Sequence, residues 1–267
     1  MRVYIGFDDT DTYDAGRGTG KLARLFESRL PEGCSLWGVV REQLLIHEKI
    51  PYTSHNSAAC VIVDLADSSL LDPLVVKAVE HIESLSFKGS DPGLCVARQD
   101  DPSLHQLVTF GQRCTRVIVT QREALQAASN VHLSAHGGTN DGIIGAAAAV
   151  GLTAYGWAGR FIEFGGLRHV QDVVRISDLE RMNILVVSID RNAKVPAPED
   201  LVYTKRWLRP LLLAGRPVLI VRPTDNGSWE SLGEKRSHKS SPGEVVNSSI
   251  QNGDIMYPPV ASDDIAL

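Results

Sequence analysis

The stretch Val3-Tyr-Ile-Gly-Phe-Asp-Asp-Thr-Asp-Thr-Tyr-Asp-Ala-Gly-Arg-Gly-Thr-Gly-Lys21 constrains the fold more than any other part of the chain. Its apolar opening, Val3 to Phe7, mixes β-branched and aromatic residues and reads as a buried strand. The strand ends in three carboxylates within four residues, Asp8, Asp9 and Asp11. A turn with Gly16, Gly18 and Gly20 follows. Lys21 to Leu30 then has a helical pattern, with Leu22, Leu25, Phe26 and Leu30 on one side. Strand, acidic turn, glycine turn and helix in this order suit a phosphate and a hard cation. Carboxylates at the end of a strand can hold Mg²⁺, and backbone N–H groups at a helix start can hold phosphate oxygens. A merely solvated turn is the weaker reading, because close carboxylates repel one another without a cation.

Three familiar motifs come near this stretch and fail. A Walker A loop needs glycine where Ala15 stands and Ser or Thr where Leu22 stands. An EF-hand loop beginning at Asp9 needs Glu at its twelfth position, which is Gly20. The aspartyl-phosphate pattern, approached by Asp9-Thr-Asp11-Thr12, is broken by Tyr13.

At 267 residues the chain can bury a full core, and its 43% hydrophobic and 22% charged residues are those of a soluble globular protein. No apolar run reaches the length of a membrane span, and no signal-like segment precedes the first strand, so a cytoplasmic, membrane-free location is expected. Cys34, Cys60, Cys95 and Cys114 form no Cys-x-x-Cys pair, which argues against a zinc ribbon or a disulfide framework. A net charge of −5 argues against a generic nucleic-acid-binding surface but leaves room for a local basic groove.

Along the chain, strands are expected at Ser35–Val40, Ala58–Leu65, Leu94–Ala97, Val117–Val119, Ile184–Ile189 and Pro217–Val221. Helices are expected at Ser68–Phe87, Leu104–Phe110 and Arg206–Leu213, and Thr120-Gln-Arg-Glu123 is a capping box opening a helix to about Ala128. His55 and Asn56 lie in the loop before the Ala58 strand, where they either face a ligand or satisfy a turn. From Asn226 to Leu267 the composition turns polar and reads as a disordered tail dispensable for folding. A second unusual stretch runs from Ala135 to Leu152. His136, Gly137 and Gly138 lead into Thr139, Asn140 and Asp141, all good helix caps, and the helix beyond is almost wholly small residues. Such a helix packs hard against a sheet, and its N-terminus can face an anion.

Taken together these motifs resemble the archaeal tRNA-isoleucine agmatidine synthetase family. Ile5-Gly-Phe-Asp-Asp-Thr-Asp-Thr12 is similar to its strand end, and Gly16-Arg-Gly-Thr19-Gly20 to its following turn. Pro51-Tyr-Thr-Ser-His-Asn56 matches loosely a Pro-Tyr loop, Asp91-Pro-Gly93 an Asn-Pro-Gly turn, and Gly142-Ile-Ile-Gly-Ala-Ala-Ala-Ala-Val-Gly151 a small-residue helix. The motifs keep the family's order over roughly the first 150 residues. The resemblance implies a kinase-like domain in which ATP and Mg²⁺ activate a carbonyl oxygen before an amine displaces the phosphate. It implies catalytic and metal-binding roles for Asp8, Asp9 and Asp11, and makes Thr19 the residue that accepts a phosphate. The family's C-terminal OB-fold and zinc ribbon have no counterpart here, and Arg17 and Lys21 are additions to the turn.

The expectation is an α/β protein: a kinase-like mixed sheet flanked by helices over residues 1–155, a smaller α/β subdomain, for which the resemblance suggests a ferredoxin-like module, over 156–224, and a tail from 225. The expected function is ATP- and Mg²⁺-dependent phosphoryl-transfer or ligase chemistry on a small amine or carbonyl compound, or on a tRNA. Gly16, Arg17, Gly18, Gly20, Lys21, His55, Asn56, His136, Gly137, Gly138, Thr139, Asn140 and Asp141 are the nucleotide-binding candidates. A non-catalytic nucleotide sensor and a tRNA-modifying enzyme that borrows its RNA grip from a partner are the alternatives.

Overall fold

The apolar runs of the first hundred residues become adjacent strands of one sheet. The computed structural model describes residues 1–53 and 55–232, which fall in one compact unit. In chain order the elements are β1 (Arg2–Asp8), α1 (Thr19–Leu25) with a 3₁₀ turn to Arg29, β2 (Cys34–Gln43), β3 (Ser57–Leu65), α2 (Leu71–Leu85), β4 (Gly93–Arg98), α3 (Leu104–Cys114), α4 (Gln121–Ala127), β5 (His132–Ala135) and α5 (Gly142–Tyr155). There follow β6 (Arg160–Glu163), β7 (Val173–Arg175), α6 (Ile176–Arg181), β8 (Leu185–Ser188), β9 (Leu201–Tyr203), β10 (Leu211–Leu213), β11 (Arg216–Pro223) and β12 (Trp229–Ser231).

The strands form one mixed sheet in the order β5-β4-β1-β3-β2-β6-β10-β11-β12-β9-β7, with β8 beside β11. All pairs are antiparallel except β11 with β8 and β12 with β9. The protein is thus a mixed α/β fold, as the alternation of strands and helices in the sequence implies. A division at residue 156 falls inside this sheet, which runs through it without a break because β6 pairs with β2 on one side and β10 on the other.

β1 lies between β3 and β4 and is buried on both faces. On one face Val3, Ile5 and Phe7 pack with Leu22 and Phe26 of the α1 region and Leu74, Ala78 and Ile82 of α2. On the other, Tyr4, Cys60 and Cys95 meet Leu107 and Phe110 of α3 and the alanines of α5. Each large side chain so buried contributes about 1.5–3 kcal/mol. The expected hard packing of the small-residue helix is present: a β-carbon on Gly6 of β1 would come within 2.1 Å of the Ala146 carbonyl oxygen. α5 therefore rests backbone to backbone on the central strand.

Several local expectations are corrected. Val117–Val119 is not a strand, and Val117 and Ile118 are exposed. Arg206–Leu213 is not a helix. Lys205 and Arg206 take left-handed backbone angles, and Leu211–Leu213 is β10, turned back onto β11 by Ala214 and Gly215 at φ 51° and 70°. Positive φ at both turn residues suits a tight hairpin. β5 is a strand that the pattern does not announce, its four residues His-Leu-Ser-Ala being too polar to stand out. The expected tail begins too early: Trp229 on β12 is completely buried and donates its indole N–H to Asp200 Oδ2 at 2.8 Å. The remainder of that stretch, 233–267, lies outside the described residues, as does Ser54. The capping box is as expected, Thr120 and Glu123 each bonding the other's backbone N–H.

Candidate functional site

β1 delivers Asp8 to the first turn of α5. The fit requires glycine at position 145, where a β-carbon would lie 1.7 Å from Asp8 Oδ2. Burial raises the Asp8 carboxyl from 3.8 to about 8, and the nearby charges of Asp9 and Asp11 push the same way. Asp9 follows with a left-handed backbone (φ 49°) that swings it towards the loop before β4. Its carboxyl rises to about 6, from burial first and then the charges of Asp91, Asp11 and Asp141. Burial and neighbouring carboxylates thus both disfavour the charged forms of Asp8 and Asp9, a cost that a bound cation would relieve.

Asp91, which the sequence offers as part of the Asp91-Pro-Gly93 turn but not as a site residue, joins this group. It lies 80 residues from the acidic run, and only the β1–β4 pairing brings it there. Its carboxylate accepts from the Thr139 backbone N–H at 2.7 Å and the Thr139 hydroxyl at 2.6 Å, while its carbonyl accepts from Gly142 N–H. Gly138, at φ 63°, leaves room for that carboxylate, which a β-carbon there would strike at 1.2 Å. Asn140 turns the chain at φ 71°, and Asp141 accepts from Gln121 Nε2 at 2.6 Å. Gly137, Gly138, Thr139, Asn140 and Asp141 are therefore gathered around Asp91, and Gly142 begins α5.

Asp11 has a different task. Its Oδ1 accepts from both the backbone N–H and the hydroxyl of Thr19 at 3.1 Å, so it caps α1, and Oδ2 accepts from Thr53 Oγ at 3.3 Å. Thr19 is buried and also bonds Thr10 through that hydroxyl. The start of α1, expected to meet phosphate, is thus met by Asp11. Gly18 supplies its N-cap and lies against Asp11, Gly16 faces open space, Gly20 packs against Ile162, and Lys21 is exposed. Arg17 lies over the Phe87 ring at 5.0 Å. Among the described residues no three His, Cys, Asp or Glu side chains are placed to hold a metal between them, so Asp8, Asp9 and Asp11 are neighbours and not a ready three-ligand cage.

The remaining candidates divide. Asn56 closes the β2–β3 connection, donating to Leu45 O at 2.6 Å and accepting at its carbonyl from Gln43 and Leu44, while the exposed His55 stands beside it. Thr53 of that loop reaches the acidic turn, donating to Asp11 Oδ2 at 3.3 Å. His136 is held between Glu83, 3.1 Å from Nδ1, and Ser134, 2.8 Å from Nε2. It lines a cavity of about 400 Å³ with Phe87, Lys88, Pro92 and Gly137, next to the Asp91 loop.

No protein-family model and no curated protein matches the chain. Solved structures are similar to part of it. Apo TiaS, an agmatidine synthetase acting on an isoleucine tRNA, matches at 27% identity over 57% of this chain and 35% of its own, with a TM-score of 0.48. A tRNA fluorescent labeling enzyme matches at 30% over 57% and 36%, and a complex of TiaS with isoleucine tRNA and ATP at 28% over the same shares, both with a TM-score of 0.48. The chain spans about a third of the length of these chains. No helix among the described residues is long and apolar enough to cross a membrane.

Proposed function

We propose that the chain is an ATP- and Mg²⁺-dependent phosphoryl-transfer enzyme of ligase type, acting on a small or RNA-borne acceptor, with its centre at Asp8, Asp9 and Asp91. The observation that carries this is the pair of raised carboxyls at the end of β1, packed against the start of α5. Mg²⁺ is commonly held by one or two carboxylates plus substrate phosphates and waters, so the want of a three-ligand cage suits it better than Zn²⁺ or Ca²⁺. In this reading Asp8 and Asp9 are the residues that would hold the ion. When bound, the ion would neutralise charge developing on the transferred phosphoryl group. Asp11, within hydrogen-bonding reach of the Thr19 hydroxyl at 3.1 Å, would take its proton as that oxygen bonds the γ-phosphorus of ATP and the bond to the departing ADP breaks. The motif resemblance in the first 150 residues points the same way.

Calorimetry with Mg²⁺ and ATP tests the reading. Asp8→Asn and Asp9→Asn should each weaken Mg²⁺-dependent binding at least tenfold while the chain still folds. Unchanged binding in both variants returns the acidic turn to a purely structural role.

A further inference from the structure

β8 is an edge strand. Among the described residues it pairs only with β11, in parallel register, with Leu185 against Val218 and Ser188 against Val221. Ile189 continues that ladder, donating its backbone N–H to the Val221 carbonyl oxygen. Backbone groups alternate sides along a strand, so the odd-numbered residues face β11, and the N–H and C=O groups of Val186 and Ser188 face outward. This outward row closes at equal distances on both sides of Val187. On one side Ile184 N–H bonds the Leu179 carbonyl oxygen; on the other Asp190 N–H bonds Ser188 Oγ at 2.9 Å. Such an edge is a template for another strand unless charges or a proline blunt it. Ile184 to Ile189 contain neither.

The side chains share the same centre. Leu185, Val187 and Ile189 stand on one face of the strand and, although aliphatic, are 42%, 40% and 54% exposed. On the other face Ile184 is completely buried and Val186 packs against the larger core. An antiparallel copy of the strand, set with Val187 opposite Val187, matches both patterns at once. Val186 then falls opposite Ser188 of the copy, twice, as pairs that exchange N–H···O bonds. Leu185 falls opposite Ile189 of the copy, twice, in the closer pairs where side chains meet. A shift of one residue sets outward groups against groups already bonded to β11. A shift of two sets Ser188 opposite Ile184, or Val186 opposite Asp190, whose N–H groups are already taken. No like charges oppose the matched register, since Asp190 falls opposite Ile184 and Arg191 opposite Asn183. The strand is thus complementary to itself in one register, which singles out a second copy of this chain over an arbitrary strand.

We propose that two copies of this chain associate about a two-fold axis through Val187, joining their sheets edge to edge along β8. The pairing is isologous and occupies the same edge of each copy, so it closes at a dimer and does not grow into a fibre. One short strand buries less than the roughly 800 Å² per partner of a standard interface. The dimer is therefore a weak one, formed at micromolar chain concentrations. It does not rest on the phosphoryl-transfer reading, whose residues lie on β1, α1 and the loops beside β4 and α5.

The test puts cysteine at the axis of the full chain, in a Cys34→Ser background because the other native thiols, Cys60, Cys95 and Cys114, are buried. Opposed Cα atoms in a pair without hydrogen bonds lie about 4.5 Å apart, within disulfide reach. Val187→Cys should cross-link to itself under mild oxidation and run as a dimer on a non-reducing gel. Leu185→Cys alone should stay uncoupled, because position 189 of the copy stands opposite it, and adding Ile189→Cys should restore the link. Sedimentation velocity of the unsubstituted chain should show the mean mass rising towards that of a dimer across the micromolar range. Val187→Lys, which sets two ammonium groups face to face at an exposed position, should weaken association at least tenfold and keep the Mg²⁺–ATP affinity. A chain that stays monomeric throughout overturns the proposal and gives the edge to a foreign strand or to residues 233–267. Equal cross-linking at positions 185 and 187 overturns the register, and a dimer of unchanged affinity in Val187→Lys overturns the edge.

Discussion

Gly145 and Glu42 show how much can hang on one position. Alanine is worth about 1 kcal/mol over glycine inside a helix, so Gly145→Ala would ordinarily strengthen α5. Here the added carbon would lie 1.7 Å from Asp8 Oδ2 and 3.0 Å from Asp8 Cβ, against a backbone contact that has no slack. Overpacking of this kind costs typically about 1–3 kcal/mol. The steric term wins: chemical denaturation should show Gly145→Ala less stable, and calorimetry should show weakened Mg²⁺–ATP binding. A more stable variant would mean that Asp8 is free to move aside. Glu42 is completely buried on β2, accepts from Thr153 Oγ at 3.0 Å with one oxygen and has no partner at the other. Burial raises its carboxyl from 4.5 to about 8. The folded state therefore holds the proton longer than the unfolded one. Its favourable contribution is fully present below pH 4.5 and is lost as pH rises to about 8. The full swing is on the order of 5 kcal/mol. Asp8 and Asp9 act in the same direction, so the informative quantity is the difference between wild type and Glu42→Gln. That difference should shift in favour of the glutamine variant between about pH 5 and about pH 8.5; parallel profiles would exclude the mechanism.

At the scale of elements, α1 and α5 begin on either side of the same acidic turn and are used differently. α5 is aimed at Asp8, whereas the start of α1 is closed by Asp11 and Thr19. If Asp11 serves as base there, intact mass after incubation with Mg²⁺ and ATP should show one added phosphate, lost in Thr19→Ala and reduced in Asp11→Asn. Wild-type protein of unchanged mass would leave Thr19 as a helix-start residue alone. Much of this architecture is legible in the sequence. Val3–Phe7 and Ala58–Leu65 are apolar on both faces because both are interior strands, and continuous apolar runs announce that. The stripe of α2 and the capping box of α4 are local signals and survive intact. Leu208, Leu211 and Leu212 mimic helical spacing, but left-handed turns at 205, 206 and 214, set by no strong residue preference, break it into loop and hairpin. Asp91 could not be ranked from sequence, because its neighbours Asp9 and Thr139 come from opposite ends of the first 140 residues.

The whole molecule sets where the chain can be shortened. β12 belongs to the sheet, and Trp229 packs with Val202, Val221 and Leu219 in the larger core. Ending the chain after Thr224 removes that indole, at a cost of about 3–5 kcal/mol. Such a chain should melt many degrees below one ended after Leu232, which keeps β12. Equal melting temperatures would show that β12 contributes nothing to the sheet.

β1 leaves the ribosome before either of the strands that flank it in the sheet. It pairs on one side with β3, which ends at Leu65, and on the other with β4, which ends at Arg98. At about 5–20 residues per second, its two-sided apolar surface waits roughly 5–20 s for its second neighbour. Through that interval the nascent chain presents an unpaired, sticky strand, so yield in a cell should depend more on holding chaperones and on slow growth temperature than on the stability of the finished fold.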